Sequence, residues 1–250
     1  MNRRMRLDIL VLDRGLADTR TRARALILAG QVRVDDAMVS KAGTLVSTNA
    51  RLTLAQPDHP YVGRGGVKLA HALDAFKISV RGRVALDIGA STGGFTDVLL
   101  RRGASRVAAL DVGHGQLDWK LRQDARVVVL ERINARHLTP DMLHPDVRQI
   151  DVVTIDVAFI SIRLLIGVVP PVLKPDGDVL VLVKPQFEAS RSEVGKKGLV
   201  TDAVVQARVV NEVTAAADEV GLVRRATTPS PITGTEGNQE FFLHLRRVSD

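Results

Sequence analysis

Five apolar runs, each closing on or beside a charged residue, constrain this chain more than any other feature. They are RVALDI at 83–88, RVAALD at 106–111, RVVVL at 126–130, IDVVTID at 150–156 and DVLVLV at 178–183. Short apolar runs without alternation read as strands covered on both faces. Separated by segments with helical periodicity, they imply crossover helices and a doubly wound, mostly parallel α/β sheet. The segment QEFFLHLR at 239–246 alternates instead and suits a final antiparallel strand. In such sheets ligands bind beyond the C-terminal ends of the strands.

The 250 residues carry a formal charge of +7, with a pI of about 10.2. A basic balance favours a polyanionic partner, although it also occurs for solubility alone. The charge is uneven: between Met1 and Arg33 there are eight Arg and three Asp. Cysteine is absent, which excludes disulfides, thiolate metal sites and thiol nucleophiles and fits a cytoplasmic setting. No metal site is expected. The N-terminus lacks the apolar core of a signal peptide. Asp156, Arg163 and Pro170-Pro171 interrupt the longest apolar stretches, so no membrane span is expected. Nothing in the sequence sets an oligomeric state.

Residues 1–59 read as a small α+β unit. Asp18 or Thr19 caps a helix whose apolar face is Ala23, Leu26 and Ile27, and Gly30 ends it. Val32 and Val34 then alternate with polar residues, and Asp35-Asp36 turn the chain. Residues 60–64, at the end of the polar stretch QPDHPYVGR, form the linker to a second unit at 65–250. The first unit, RLDILVLDRGLADTRTRARALILAGQVRVDDAMVSKAG, resembles the ribosomal-protein-S4-type RNA-binding domain. That likeness and the charge make Arg4, Arg6, Arg20, Arg22, Arg24 and Lys41 candidates for tracking RNA phosphates. The alternative for these side chains is an ordinary solvated surface.

The second unit opens with LDIGASTGGFTDVLL at 86–100. Gly89, Gly93 and Gly94 let the backbone turn sharply, and the following helix aims its N-terminus at the same space. Ser91 and Thr92 add hydroxyls there. Asp87 lies at the end of the first strand and Asp111 ends the second, where an acid can accept from both ribose hydroxyls of an adenosine cofactor. The G-x-x-x-G-G spacing is closer to the loops of S-adenosylmethionine (SAM) enzymes than to the dinucleotide pattern. Alone it leaves SAM, a nicotinamide and no cofactor all open. Asn134 either reads an adenine edge or caps a helix.

Asp156 ends the fourth run and Lys184 the fifth, so the two face one crevice if those strands are neighbours. Lys68 falls on an amphipathic helix before the sheet, and Glu240 opens the last strand. Singly, each is explained by snorkelling, capping or a sheet rim. Together with RGGVKL, DVGHGQLDWKLRQD, VLERINARHL, DVAFIS, LVKPQFE, VGKKG and GNQEFFL, they give a resemblance. The second unit is similar to the FtsJ-type ribose methyltransferases, and the whole chain resembles the TlyA (hemolysin A-like) family.

The resemblance implies a Rossmann-like SAM-dependent methyltransferase domain and a Lys-Asp-Lys-Glu tetrad at Lys68, Asp156, Lys184 and Glu240. It implies SAM as cofactor and ribosomal RNA, free or in a subunit, as partner. The substrate would be the ribose 2′-hydroxyl of cytidine. The chain stops soon after its last strand, which points to the large subunit (23S), while the N-terminal arginines keep 16S open. Lys184 would orient or deprotonate the hydroxyl, with the other three holding and tuning it. An unperturbed lysine titrates near about 10.4, so a basic Lys184 would need a lowered pKa. Burial and Lys68 push that way, and Asp156 and Glu240 oppose. Ala158 replaces the Ser usual in the family's fourth-strand motif, and His114 stands where Tyr is common. Phe159 and Phe187 are the candidates for stacking a flipped base. Competing readings are a non-catalytic RNA-binding factor on a methyltransferase scaffold, a pore-forming hemolysin and a nicotinamide dehydrogenase.

Overall fold

In the larger unit, Asp87, Asp111, Asp156, Lys184 and Glu240 all lie at one rim of one seven-stranded sheet. The computed structural model describes residues 3–54, 59–234 and 237–247. Its N-terminal unit comprises β1 (Arg4–Arg6), α1 (Leu7–Asp13), α2 (Arg20–Leu28), β2 (Val32–Val34), β3 (Ala37–Met38), β4 (Leu45–Ser47) and β5 (Leu52–Leu54). Helical spacing puts Leu7, Leu10 and Val11 on one face of α1, and Ala23, Leu26 and Ile27 on one face of α2. The two faces meet over Val32 and Val34. Thr19 caps α2, its Oγ1 accepting from Arg22 N at 3.1 Å. Asp35 and Asp36 both have positive φ, 49° and 68°, the backbone demanded by a two-residue turn between β2 and β3.

Residues 55–58, which include the first part of the polar stretch before the linker, lie outside the described residues. After them the chain is held tightly. Val62 N donates to Asp97 Oδ2 at 3.0 Å, and the Arg101 guanidinium sits 5.9 Å from the centre of the Tyr61 ring.

The larger unit runs α3 (Gly65–Ala75), β6 (Val84–Ile88), α4 (Gly94–Arg101), β7 (Arg106–Asp111), α5 (Trp119–Arg122), β8 (Val127–Glu131), β9 (Ile150–Ile155), β10 (Leu173–Val183), α6 (Pro185–Glu188), α7 (Ala203–Asp218), β11 (Leu222–Pro229) and β12 (Phe241–Arg247). Its sheet has the order β11-β12-β10-β9-β6-β7-β8. β10, β9, β6, β7 and β8 are mutually parallel, and β12 is antiparallel to both β10 and β11. Alternate side chains enter two cores. Ile88, Ile155, Val181 and Val183 pack on one face. Ala85, Val152, Leu180 and Leu182 pack on the other.

The α/β sheet expected from the apolar runs is present, with two differences. The crossovers are less helical than the periodicity suggests. β7 reaches β8 through one turn of helix, and the paths from β8 to β9 and from β9 to β10 hold only 3-10 turns. Between β8 and β9 and between β9 and β10, Pro140, Pro145 and Pro170-Pro171 account for this, because proline removes an amide and clashes with the preceding turn. The sheet also gains an edge strand, β11, from LVRRATTP, a sequence with adjacent arginines and no apolar run.

Candidate active site

β6, β9 and β10 stand side by side; β6 and β9 end level, and β10 runs on past Val181 to Val183 at the same rim. Ile88 pairs with Ile155 and Ile155 with Val181. Asp156 and Lys184 leave adjacent strands at this rim, and Lys184 Nζ lies 2.5 Å from Asp156 Oδ1. The approach is a close ion contact, and Oδ1 is left without an aligned hydrogen bond. Lys68 on α3 and Glu240 just before β12 form a second pair at 2.5 Å. These are 9 % and 2 % exposed. So buried a pair of charges persists only when each satisfies the other.

The charges act on one another across the pairs. Burial alone would raise the Asp156 carboxyl, but the Lys184 and Lys68 ammonium groups outweigh it and hold Asp156 below the usual carboxylate range. Burial alone would lower Lys184, but Asp156 and Glu240 outweigh it and hold the ammonium above its ordinary value. Attraction wins over desolvation at both positions, so the resting site holds a carboxylate and an ammonium.

Beside these pairs runs the glycine loop. Gly89 has φ +87°, and a Cβ there would come within 2.3 Å of the Asp156 carbonyl oxygen. Only glycine allows the loop to pass so close to the exit of β9. Gly93 precedes α4 with φ +98° and no side-chain cap, so the first amides of that helix are not consumed by a capping side chain. Behind the loop Asp87 is fully buried and accepts from Thr96 Oγ1 at 2.7 Å and from Thr154 Oγ1 at 3.0 Å. Burial pushes its carboxyl up to about 7, against the two threonine hydroxyls. Asp111 accepts from Ser91 N at 2.8 Å and from Gly113 N at 2.6 Å. Each of its oxygens keeps a further lone pair.

A cleft of about 650 Å³ gathers these parts, within the usual range for a small-molecule site. Lys68, Asp156, Lys184 and Glu240 line it together with Gly89, Ser91, Thr92 and Gly94. So do the aromatic pair Phe159 and Phe187, whose ring centres are 5.3 Å apart. The opposite wall comes from the N-terminal unit, with Arg24 and Lys41 among its residues.

Asp87, Gly93, Asp111 and Asn134 are not in that lining. Asn134 is an exposed cap, its Oδ1 accepting from Arg136 N at 3.1 Å. The other basic candidates are disposed differently. Arg6 and Arg20 both hold the buried Asp8 carboxylate, at 3.0 and 2.9 Å. Arg22 reaches Asp118 of the larger unit at 3.3 Å. Arg4 is exposed on β1.

Three neighbours of the site escaped the sequence reading. Glu131, ending β8, accepts from Gly115 N and lies 2.8 Å from His114 Nδ1. Burial pushes its carboxyl up, but Arg122, Gly115 and His114 prevail and hold it low. It had the same strand-end signal as Asp111. Gln116, with Oε1 3.5 Å from Ser91 Oγ, and Arg64, with Nη1 3.6 Å from Met38 Sδ, sit on turns that carry no such signal.

Known proteins match both units of this chain. The FtsJ-like methyltransferase family matches residues 61–247, and the S4 domain matches residues 5–52. The "16S/23S rRNA (cytidine-2'-O)-methyltransferase TlyA" of Mycobacterium tuberculosis is 46 % identical over all of this chain and 92 % of its own length. "Hemolysin A" of Brachyspira hyodysenteriae is 39 % identical over 96 % of this chain and 99 % of its own. A solved candidate hemolysin of Streptococcus thermophilus superposes with a TM-score of 0.77 at 39 % identity, covering 100 % of this chain and 90 % of that one. Among the described residues no helix is long and apolar enough to cross a membrane. With its S4 domain, its FtsJ-like sheet and full-length likeness to these relatives, the chain belongs to the TlyA family of FtsJ-like methyltransferases.

Proposed function

We propose that this chain transfers a methyl group from SAM to the ribose 2′-hydroxyl of cytidine in ribosomal RNA, in 23S and also in 16S. One observation carries the reading. The buried Lys68–Glu240 pair and the half-buried Lys184–Asp156 pair share a single cleft with the glycine loop and with a basic wall from the S4 domain. The relative named for this activity on both RNAs has the same full-length architecture.

The residues suit the cofactor. The amides of Thr92 and Gly94 and the hydroxyls of Ser91 and Thr92, at the head of α4, would receive the methionine carboxylate, while the Ser91 and Gly93 amides hold the loop through Asp111 and Ala90 O. Asp111 has lone pairs left for the ribose hydroxyls. Val112, exposed beside it, offers an apolar face to the adenine, with Asn134 at its edge. Asp87 acts from behind, fixing the loop through Thr96 and Thr154. Bound there, SAM supplies an electrophilic methyl group on a sulfonium.

The protein's own task is alignment and proton removal. Lys184, cationic in the resting site, fixes the position of the hydroxyl oxygen. As the oxygen–carbon bond forms, that oxygen becomes strongly acidic. Asp156, held ionised beside the Lys184 ammonium, takes the proton. Lys68 and Glu240 hold the charges: Lys68 acts on Asp156, and Glu240 on Lys184. Arg24 and Lys41 meet RNA phosphates at the other wall, and Phe159 and Phe187 receive the base.

The test is methyl transfer from labelled SAM to separated unmethylated subunits and to their naked rRNA, with Lys184→Ala alongside. Label on a cytidine 2′-oxygen, lost in the variant, is expected. A near-normal rate in Lys184→Ala would remove Lys184 from the mechanism. SAM binding without any label would point to another substrate.

A further inference from the structure

One buried acid close to the cleft takes no part in this chemistry. Glu188 ends α6, four residues after Lys184, and is 4 % exposed. Its Oε2 accepts from Ser161 Oγ at 2.5 Å, and its Oε1 accepts from Ile162 N at 2.6 Å. Arg163 Nε stands 3.5 Å from Oε2, and Arg163 Nη2 donates to the Glu188 carbonyl at 3.2 Å. The segment leaving β10 is thus bound to the segment leaving β9.

Between Asp156 and Ser161 the β9 exit carries Phe159, whose φ is +65° and whose side chain is 86 % exposed. A left-handed backbone is unfavourable for a bulky residue. A ring so exposed gains little from burial, so its own packing does not compensate. The conformation must be imposed from the flanks. On one side Asp156 N donates to Ile88 O at 2.9 Å. On the other stand Ser161 and Ile162, and both are held by the Glu188 carboxylate.

We propose that Glu188 is a positioning residue: by clamping Ser161 and Ile162 it holds Phe159 towards the cleft and sets the spacing of Asp156 and Lys184. The proposal rests on the methyltransferase reading for its consequence, since the held ring would face a nucleobase of the RNA. It extends that reading to a residue outside the tetrad and the glycine loop.

The test compares the full-length wild type with Glu188→Ala, Glu188→Gln and Phe159→Ala. Misplacement by about 1 Å can cost about a hundredfold in rate, so Glu188→Ala should lower kcat about 10- to 100-fold. Its SAM affinity should stay within about twofold of wild type, because Glu188 touches no residue of the glycine loop. Glu188→Gln keeps one acceptor oxygen and should recover most of the rate. Phe159→Ala combined with Glu188→Ala should be no slower than the worse single variant, whereas an unrelated loss of stability would multiply.

Limited chymotrypsin digestion supplies a readout independent of activity. Cleavage after Phe159 should quicken at least about tenfold in Glu188→Ala under native conditions, as the loop opens locally. If Glu188→Ala does not fold, Ser161→Ala removes one donor alone and should show the same changes at smaller size. Wild-type rate and wild-type cleavage in either folded variant would overturn the proposal. A wild type that labels no rRNA would overturn the methyltransferase reading instead, leaving cleavage to decide whether the clamp exists.

Discussion

Removing the Lys68 ammonium should destabilise the whole larger unit, not only its chemistry. Lys68 Nζ lies 2.5 Å from Glu240 Oε2, joining α3 to the entry of β12 across 172 positions of sequence. Lys68→Met keeps most of the side-chain volume and deletes the charge. Glu240, 2 % exposed, then loses its ion partner. Breaking one half of a buried pair costs about 3–5 kcal/mol. In a chain of this size each kcal/mol moves Tm by about 2–4 °C, so a fall of about 6–20 °C is expected at neutral pH. Lys68→Met with Glu240→Gln leaves no unpaired charge and should regain at least about half of that loss. Thermal unfolding followed by circular dichroism measures both. A single variant melting within about 1 °C of wild type would refute the reasoning, because a buried carboxylate that loses its hydrogen-bonded ammonium must lose stability, even with Lys184 nearby.

Three further outcomes follow from the same geometry. Because Asp156 and Glu240 hold Lys184 cationic, kcat should be nearly flat from about pH 7 to 9; a reaction needing neutral Lys184 would climb about tenfold per pH unit, which a pH–rate profile would show at once. Asp87 has a folded pKa raised by burial to about 7 from 3.8, so its contribution to stability is complete below the unfolded value and is lost as pH rises through about 7. Asp87→Asn should therefore flatten the decline of Tm between about pH 4 and 8, and an unchanged slope would remove Asp87 as its source. Arg24, exposed on the cleft wall, should behave as a phosphate contact: Arg24→Ala should weaken RNA binding at all sequences and reduce the salt slope by about 0.7–0.9, and an unchanged slope in a filter-binding series would exclude the contact.

Much of the site could be read along the chain because strand ends are local events. An apolar run that stops on Asp111, Asp156 or Lys184 announces both a buried strand and a charge at its rim. Whether Asp156 and Lys184 meet depends on β9 and β10 being neighbours, a fact of sheet order that no run of residues states. The wall supplied by Arg24 and Lys41 was hidden for the same reason, since it arises where the two units pack. β11 was missed because an edge strand needs only one covered face, and LVRRATTP buries just one residue fully. Helical periodicity exaggerates the crossovers after β8 and β9 because Pro140, Pro145 and Pro170-Pro171 cut it. Asn134 was ambiguous in sequence, and its Oδ1 caps the turn after β8. Glu188 had no signal at all: in KPQFE it looks like any acid on a short helix, and only burial reveals it.

The position of β12 bears on how the protein can be made. This strand arrives last among those described, yet it lies between β10 and β11. Until residues 241–247 leave the ribosome, β10 presents an open hydrogen-bonding edge and β11 has no partner. Exposed edges of that kind invite pairing between chains, and a nascent chain holds this one exposed while it waits. Glu240 enters just ahead of the strand, so the step that seals the sheet also delivers the last carboxylate to Lys68. A synthesis arrested shortly before residue 240 would leave a chain with an unfinished sheet and an unpaired buried lysine. Such a chain should be cleared by proteolysis and not linger as a defective enzyme that still occupies RNA.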